Sequence, residues 1–353
     1  MDSNLLLKKL KIYGLDNDLL MWIESYLTER QQAVWIDHTY SEFRSHSIGV
    51  PQGSNLGPLF FLIYYSDLLY TLDCPVDAYA DDSTMTTSGT IAEISSKLTE
   101  NCDKIVNWMC SNHFKLNADK THILTVGTRE RLSTLSDKAM VTMDGVQLVE
   151  GKEKCELLLG CEMEANLKWD AQTSLVLSKL RTRLVGLTSL KYVVPYPTLN
   201  TITTGMFNSV LVYCLPLYGG CNVSQLKSLQ VMQNKAARVV SHLPPRTSRE
   251  FLYNRIKWLT VNQLVAYHTL ITVFKIRETG EPEYLAQFLK YDNRQDRIII
   301  PNTDLGLAKK SFVWRGSLLW NSMSLGLRKC TKIGQFKTGI KQWVLYNIPR
   351  FLE

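Results

Sequence analysis

The chain has 353 residues, of which 45% are hydrophobic and 21% charged, a balance that is typical of globular proteins and excludes wholesale disorder. Its length allows two or three domains with cores of their own. The longest apolar stretch, residues 207–220, is shorter than the roughly 18 residues of a membrane span. Residues 1–14 lack a signal-peptide pattern. We expect a soluble, intracellular protein with no membrane partner. The sequence does not distinguish a nuclear from a cytoplasmic location, and it does not indicate the oligomeric state.

The net charge of +7 is unevenly distributed along the chain. Residues 1–160 contain 14 Lys and Arg against 22 Asp and Glu, whereas residues 161–353 contain 26 against 11. A basic half of this kind suggests a polyanionic partner, most often nucleic acid. On charge alone, a merely well-solvated surface explains the excess equally well.

The cysteines and histidines predict neither a zinc site nor a disulfide framework. No C-x-x-C pair and no H-E-x-x-H motif occurs, so reduced thiols in the core are the favoured interpretation. The eight cysteines are Cys74, Cys102, Cys110, Cys155, Cys161, Cys214, Cys221 and Cys330.

The first fifty residues predict two helices and a hairpin. In residues 5–27, leucines and aromatics recur at helical spacing on both sides of a Gly-Leu-Asp-Asn break. Val34 and Ile36 then alternate with polar neighbours, and the polar stretch 37–42 separates two extended runs. This alternation predicts a β-hairpin.

A glycine-containing loop and a long apolar helix follow. Gly53 leaves the backbone open to close approach, Ser54 or Asn55 can cap a helix, and Pro58 suits a first helical turn. From Leu59 to Leu69 the sequence is apolar on nearly every side. It therefore predicts a helix buried against a sheet.

The remaining chain changes from mixed to helical structure. Residues 74–89 predict two strands around a tight turn and residues 91–112 a helix; residues 114–127 and 155–169 each look like strands with turns. Residues 174–190 predict a basic amphipathic helix, and Pro-Pro at 244–245 marks a plausible boundary. The apolar stripe of the basic helix is Leu177, Leu180, Leu184 and Leu187.

Two adjacent aspartates stand out in the run "AYADDSTM", because its small and apolar residues predict a largely buried segment. Asp81 and Asp82 repel each other, so burying both requires a cation or several hydrogen-bond donors. Two Mg²⁺ ions about 3.5–4 Å apart would use such carboxylates for phosphoryl or nucleotidyl transfer. Taken alone, the pair is better explained as ordinary turn residues.

Four motifs in order resemble the reverse transcriptases of non-LTR retrotransposons of the jockey type. They are "GVPQGSNLGPLFFLIYYSDL", "AYADD", "FKLNADKTHIL" and "LLGCEMEANLKW", and "YLTERQQAV" and "LQVMQNKAARVV" also look like family signatures. The resemblance spans nearly the whole chain. It implies an RNA-directed DNA polymerase that uses an RNA template, a DNA primer, deoxynucleoside triphosphates and two Mg²⁺ ions.

The "AYADD" motif matches the catalytic hairpin of this family. The resemblance implies that Asp81 coordinates the catalytic metal and that Asp82 assists. It also implies that Tyr79 and Ala80 lie near the primer terminus, and that the hairpin in "LLGCEMEANLKW" grips the primer.

The other motifs imply contacts to nucleotide and nucleic acid. Gln52 and Gly53 would line the nascent base pair, and Lys120 would lie near the triphosphate as a possible proton donor to pyrophosphate. Each has a plain alternative, because Gln52 can simply close its loop and Lys120 can be a solvated turn lysine. The basic helix would hold the duplex by phosphate contacts through Lys179, Arg181 and Arg183. Such residues are more often surface charges, but their position after the sheet favours nucleic-acid contacts.

The resemblance also shows a departure. In the family, a strand upstream of "HxxLLxKL" supplies the first metal-binding aspartate, and Met1 falls just after its expected position. We therefore expect an α+β chain, truncated at its N-terminus. Residues 1–165 would be a partial palm with an antiparallel sheet, 166–243 a helical thumb and 244–353 a basic, mostly helical region. Little or no polymerase activity is expected; the alternative is a non-catalytic nucleic-acid-binding remnant.

Overall fold

The computed structural model describes residues 1–46, 48–117, 120–134, 139–150, 155–244, 246–292, 294 and 296–349. The chain divides into two compact units. The first comprises Met1–Thr125 and Thr134–Gly151, and the second comprises Val126–Ser133 and Lys152–Glu353.

The first unit combines four helices with short strand pairs. The helices are α1 (Ser3–Ile12), α2 (Asn17–Leu27), α3 (Leu56–Leu69) and α4 (Ile91–Ser111). The strands are β1 (Arg30–Gln32), β2 (Trp35–Ile36), β3 (Thr39–Tyr40), β4 (Arg44–His46), β5 (Val76–Tyr79), β6 (Asp82–Met85), β7 (His122–Ile123), β8 (Thr142–Met143), β9 (Val146–Gln147) and β10 (Val149–Glu150). The two predicted helices in residues 5–27 are confirmed, and Asp2 and Asp16 cap them by accepting backbone N–H bonds from Leu5 and Leu19.

The core of the first unit lies where α1, α3 and α4 meet. Leu6 and Leu10 of α1, Tyr64 of α3 and Trp108 of α4 belong to one buried apolar cluster. Burial raises the pKa of Tyr64, whose hydroxyl donates to the Asn112 carbonyl at 2.8 Å. The three helices are thus joined by apolar contact and by satisfied buried polar groups.

An ion pair fixes α1 on α3. Lys9 Nζ lies 2.8 Å from Asp67 Oδ2 and donates to the Tyr64 carbonyl at 2.7 Å. The same ammonium lies 4.4 Å from the centre of the Tyr64 ring. The Trp108 indole donates to Asp67 Oδ1 at 3.1 Å, so α4 shares the carboxylate.

The predicted burial of α3 on nearly every side is wrong. Phe60, Tyr64 and Leu68 are buried, but Leu59 is 50% exposed and Leu62 is 56% exposed. One face of the helix packs on α1 and the other faces outward, because the apolar pattern alone does not reveal which side a neighbour covers.

The predicted hairpin after α2 is confirmed, with a sharper turn than expected. β2 pairs with β3 and β1 with β4, both antiparallel. The chain reverses at Asp37 and His38, which both have positive φ as a type I′ turn requires. Thr39 and Tyr40, directly beyond this turn, form the returning strand β3.

The second unit is mostly helical. Its helices are α5 (Arg129–Thr134), α6 (Asp170–Leu190), α7 (Tyr196–Thr203), a π-helical turn (Thr204–Asn208), α8 (Ser209–Val212), α9 (Leu215–Tyr218), α10 (Val223–Ser241), α11 (Arg249–Ile256), α12 (Val261–Thr279), α13 (Glu283–Ala286), α14 (Gly306–Lys309), α15 (Phe312–Ser322), α16 (Leu325–Arg328) and α17 (Ile333–Asn347). Its strands are β11 (Cys155–Leu158), β12 (Cys161–Glu164), β13 (Tyr291–Asp292) and β14 (Arg297–Ile298).

The predicted leucine stripe of α6 is confirmed. Leu180 and Leu187 are fully buried, and Leu177 and Leu184 pack against the same cluster. This cluster also takes in apolar residues of α7 to α10 and Val261 of α12. The helices around α6 therefore share one core with the start of the C-terminal helices.

The predicted α+β class is confirmed at this level. Among the described residues, every sheet has two strands, and six of the seven pairs are antiparallel; β7 and β10 pair in parallel. Within the described part of the chain, no helix is both long and apolar enough to cross a membrane. Residues 118 and 119 of the "LNADKT" motif, and Pro245 of the predicted boundary, lie outside the described residues.

Candidate functional site

The two aspartates lie at the end of the β5–β6 hairpin, as the strand-turn-strand pattern predicts. Tyr79 pairs with Asp82, and Ala80 and Asp81 form the two-residue connection. Cross-strand partners share a face of an antiparallel pair, so Tyr79 and Asp82 project to the same side. Both carboxylates thus stand at the tip of one hairpin.

The predicted burial of this segment is wrong. Ala80, Asp81 and Asp82 are all exposed, and Tyr79 is 69% exposed. The small residues serve the turn instead, because Ala80 has a φ of +54°, where a larger side chain costs more. Solvent relieves the repulsion that burial of both charges would create.

The opposite face of the hairpin rests on α3. The hydroxyls of Tyr65 and Ser83 lie 2.8 Å apart, and Met85 packs on the core cluster that contains Tyr65. Tyr65 is 7% exposed and stacks on Phe61 with ring centres 5.5 Å apart. A fixed helix therefore orients the strand that begins with Asp82.

The register places one further carboxylate on the aspartate face. Asp77 pairs with Thr84, two positions before the Tyr79–Asp82 pair, and is exposed. Sequence reasoning did not single out Asp77, although strict alternation from Tyr79 would have found it. In the described parts of the chain, no three His, Cys, Asp or Glu residues form a group that could hold a metal ion.

The donor set at the tip nevertheless suits magnesium chemically. Asp81 and Asp82 offer carboxylate oxygens in an exposed position, and Mg²⁺ prefers oxygen ligands while keeping several waters or phosphates. The hairpin can thus contribute ligands, with the rest of the shell supplied by water and substrate.

The "PQGS" loop forms a tight turn just before α3. The N–H of Ser54 donates to the Pro51 carbonyl at 3.3 Å, and Gly53 has a φ of +80° at the third position of the turn. This position requires positive φ in a type II turn, which explains the glycine. Ser54 Oγ accepts from the Gly57 N–H at 3.0 Å, and Gln52 is exposed.

Lys120 lies beyond α4 in the first unit. It is exposed, and its N–H donates to the Asn117 carbonyl at 3.2 Å. Among the described residues, no hydrogen bond or ion pair links its side chain to the hairpin or to the "PQGS" turn. The hairpin thus brings Tyr79 to Asp82 together, and the turn separately brings Gln52 and Gly53 together. Neither set of contacts includes Lys120.

The predicted basic residues of the second unit have unequal environments. Lys179 and Arg181 of α6 are exposed, whereas Arg183 is half-buried and donates from Nη1 to the Met206 carbonyl at 3.0 Å. Lys179 and Arg181 therefore present their charge to solvent, and the backbone contact orients Arg183.

The predicted hairpin in "LLGCEMEANLKW" is present in the second unit. β11 pairs with β12, and both Leu159 and Gly160 have positive φ, as in a type I′ turn. The Tyr213 hydroxyl donates to the Leu159 carbonyl at 2.5 Å, which ties the turn to the end of α8.

Comparisons with known proteins find similar sequences. Residues 2–163 match the family model described as reverse transcriptase (RNA-dependent DNA polymerase). The chain is 26% identical over 240 residues to the RNA-directed DNA polymerase from mobile element jockey of Drosophila melanogaster. It is also 26% identical over 264 residues to the probable RNA-directed DNA polymerase from transposon BS of the same fly, and 25% identical over 247 residues to the jockey polymerase of Drosophila funebris.

These alignments cover 64%, 70% and 65% of this chain but only 25%, 28% and 26% of the three relatives. The chain thus spans about a quarter of the length of the curated relatives it matches. The family match contains both the "PQGS" turn and the aspartate hairpin. Residues 2–163 therefore resemble a reverse transcriptase segment, and about two thirds of the chain is similar to the RNA-directed DNA polymerases of the mobile elements jockey and BS.

Proposed function

We propose that this chain is part of an RNA-directed DNA polymerase and that the β5–β6 hairpin contributes ligands for two-metal nucleotidyl transfer. In this reaction a primer 3′-hydroxyl attacks the α-phosphate of a deoxynucleoside triphosphate, and pyrophosphate leaves. The observation that carries the proposal is the pair of exposed carboxylates, Asp81 and Asp82, at the tip of a hairpin inside the matched segment.

The roles proposed for the other predicted site residues rest on the resemblance of their motifs. Tyr79 shares the face of Asp82, so its exposed ring can contact the primer terminus. The Gly53 turn leaves room for a base pair beside Gln52, because no atom lies within 4 Å of where a Cβ on Gly53 would stand. Lys120 carries a positive charge for the triphosphate.

Asp81 and Asp82 would hold magnesium, which supplies charge stabilisation for the attacking and leaving oxygens when bound. The protein's own contribution is to fix the carboxylates. The bond between Tyr65 and Ser83 limits the motion of the strand that carries Asp82.

A Mn²⁺ titration followed by electron paramagnetic resonance tests the metal ligands without requiring catalysis. We expect Asp81→Ala to reduce Mn²⁺ binding strongly. Asp77→Ala removes a carboxylate from the same hairpin and serves as the matched control, with binding close to that of the unchanged chain. Equal binding by the Asp81→Ala chain and the unchanged chain contradicts the proposed role.

Primer extension on an RNA template with Mg²⁺ tests the activity itself. The sequence-based prediction is that this chain alone gives little or no product. Robust extension that disappears in Asp81→Ala overturns that prediction and supports the polymerase assignment directly. Extension that persists in Asp81→Ala contradicts the assignment of Asp81.

A non-catalytic nucleic-acid-binding role is the second candidate, and the exposed charges of Lys179 and Arg181 on α6 favour it. Binding through phosphate contacts must weaken steeply with salt, because each neutralised phosphate releases counterions. We expect Lys179→Gln with Arg181→Gln to weaken binding to a primer-template duplex and to flatten its salt dependence. Undetectable binding at low salt excludes this role.

A further inference from the structure

The C-terminal helices of the second unit form an open cavity that the proposed polymerase site does not use. It has a volume of about 460 Å³ and lies between α11, the start of α12 and α17. This volume falls within the roughly 300–1,000 Å³ of ligand-binding pockets. Its lining combines three lysines with aromatic rings and contains no acidic residue.

The lysines converge on the cavity from two helices. Lys337 and Lys341 are one turn apart on α17, so they share a face of that helix. Lys257 follows α11 in the left-handed conformation, with a φ of +58°. All three side chains are exposed, and among the described residues no ion pair joins them to a carboxylate.

The charge of Lys337 acts on a neighbouring side chain. Burial, and then the charge of Lys337, lower the pKa of His268 on α12. Three like charges around one concave surface repel each other, and an anion in the cavity would offset this repulsion.

The aromatic wall is held in place by hydrogen bonds and packing. Trp258 is half-buried, and its indole donates to Asn200 Oδ1 at 3.0 Å. Tyr267 is half-buried and makes an edge contact with the His268 ring at 5.3 Å between centres. A pre-oriented ring beside basic side chains is the combination by which single-stranded nucleic acid is held, through base stacking and phosphate contacts.

We propose that this cavity binds one nucleotide of single-stranded nucleic acid. The base packs on Trp258 and Tyr267. The flanking phosphates lie against Lys257, Lys337 and Lys341. The site belongs to the C-terminal helices alone and requires neither Asp81 nor a metal ion.

Fluorescence anisotropy of labelled 12-nucleotide oligothymidine and oligouridine tests the phosphate contacts. The pocket variant is Lys337→Gln with Lys341→Gln, and the matched control is Lys309→Gln with Lys332→Gln, two exposed lysines outside the lining. On a single strand, each neutralised phosphate contributes about −0.7 to the slope of log K against log salt concentration. We therefore expect this slope to be about 1.4 shallower in the pocket variant and unchanged in the control. Equal slopes in the two variants overturn the proposal.

Two substitutions of Trp258 test the stacking contact. Trp258→Leu should weaken binding about tenfold or more, whereas Trp258→Phe keeps an aromatic face and should stay within about threefold. Each variant's thermal melting curve reports whether it folds. If Leu and Phe weaken binding equally in folded proteins, base stacking on this residue is excluded.

Cross-linking locates the site independently of any substitution. An oligonucleotide with 5-iodouracil should cross-link to peptides that contain Trp258 or Tyr267, and cross-links confined to other peptides overturn the assignment. Polyphosphate that competes as well as the 12-mer, at equal phosphate concentration, also overturns it, because polyphosphate has no base to stack on Trp258 and Tyr267. The binding assays contain EDTA, so that binding at this site is measured without the metal ion that the proposed polymerase site requires.

Discussion

The hydroxyl groups of Tyr65 and Ser83 lie 2.8 Å apart and join the middle of α3 to the strand that begins with Asp82. The contact links a side chain that is 7% exposed to a hairpin whose tip is exposed. The aspartate end of the hairpin thus stands in solvent while its base is held by the core. In the proposed function, this arrangement would hold the carboxylates in place without free motion of the strand.

Removing this hydroxyl pair should loosen the hairpin. We expect Tyr65→Phe to lower the free energy of unfolding by about 0.5–1.5 kcal/mol, because one partly buried hydrogen bond is lost. Urea unfolding measures the change, and Tyr70→Phe, at a tyrosine that is 89% exposed, is the control. A double-mutant cycle with Ser83→Ala should show that the two losses are not additive. Additive losses contradict the contact.

The turn at Ala80 carries backbone strain that glycine would relieve. Because its φ is +54°, Ala80→Gly removes the clash of Cβ with the following carbonyl. We expect an increase of up to about 1 kcal/mol in the free energy of unfolding, after the entropy gained by the unfolded chain is subtracted. Ala78→Gly, inside β5, should instead destabilise the protein. If the free energy of unfolding changes with the same sign in both variants, backbone strain at Ala80 is excluded.

A buried polar network explains the glutamines of the "LQVMQNKAARVV" segment. Gln230 Nε2 donates to the Tyr253 hydroxyl at 2.6 Å, and the Val261 N–H donates to Gln230 Oε1 at 2.8 Å. The Tyr253 hydroxyl donates to Gln233 Oε1 at 2.8 Å. The network joins α10 to α11 and to the first residue of α12.

Gln230→Leu leaves the Val261 N–H without this acceptor. We expect a loss of about 1–3 kcal/mol in the free energy of unfolding, the cost of an unsatisfied buried group. Val231→Ala, at the neighbouring position that is 52% exposed, should change it by less than about 0.5 kcal/mol. Urea unfolding measures both variants. If they lose similar amounts of unfolding free energy, the network does not stabilise the protein.

Two cysteines of the second unit should differ sharply in reactivity. A hydrogen bond from Cys161 lowers the pKa of Cys214 to about 7, whereas burial raises the pKa of Cys221 to about 11. Since the thiolate is the nucleophile, alkylation of Cys214 by iodoacetamide should rise as pH increases through about 7. Cys221 should stay unmodified over that range. Mass spectrometry of peptides after timed labelling measures both rates.

Substitutions of Cys161 test whether its hydrogen bond lowers the pKa of Cys214. Cys161→Ala removes the donor, so the pH midpoint of Cys214 alkylation should move upward. Cys161→Ser keeps a hydroxyl donor and should retain part of the shift. An unchanged midpoint in Cys161→Ala shows that another group lowers the pKa.

Local patterns in the sequence predicted the elements well and their exposure poorly. The helical spacing around residues 5–27, the hairpin after α2 and the leucine stripe of α6 are all present, because periodicity and turn chemistry act within a few residues. The burial of α3 and of the Ala78–Asp82 run was mispredicted, since it depends on which neighbours cover each face.

The aspartate pair could be singled out from the sequence because two adjacent carboxylates at a turn are chemically unusual. Asp77 was missed, although the alternation of side chains along β5 alone places it on the face of Tyr79. The lysine-lined cavity could not be foreseen either, because Lys257 and Lys337 are far apart in sequence and meet only through the packing of α11 and α17. The fold assembles such sites from residues that no local pattern relates.

The most direct test of the central claim is to map where a metal ion binds. Fe²⁺ in place of Mg²⁺, with ascorbate and peroxide, cleaves the backbone beside the bound ion, and mass spectrometry identifies the cut. We predict cleavage within residues 79–83 that is abolished by Asp81→Ala and preserved in Asp77→Ala. Cleavage elsewhere only, or cleavage at the hairpin that persists in Asp81→Ala, would contradict the assignment of the hairpin as a metal-binding catalytic element.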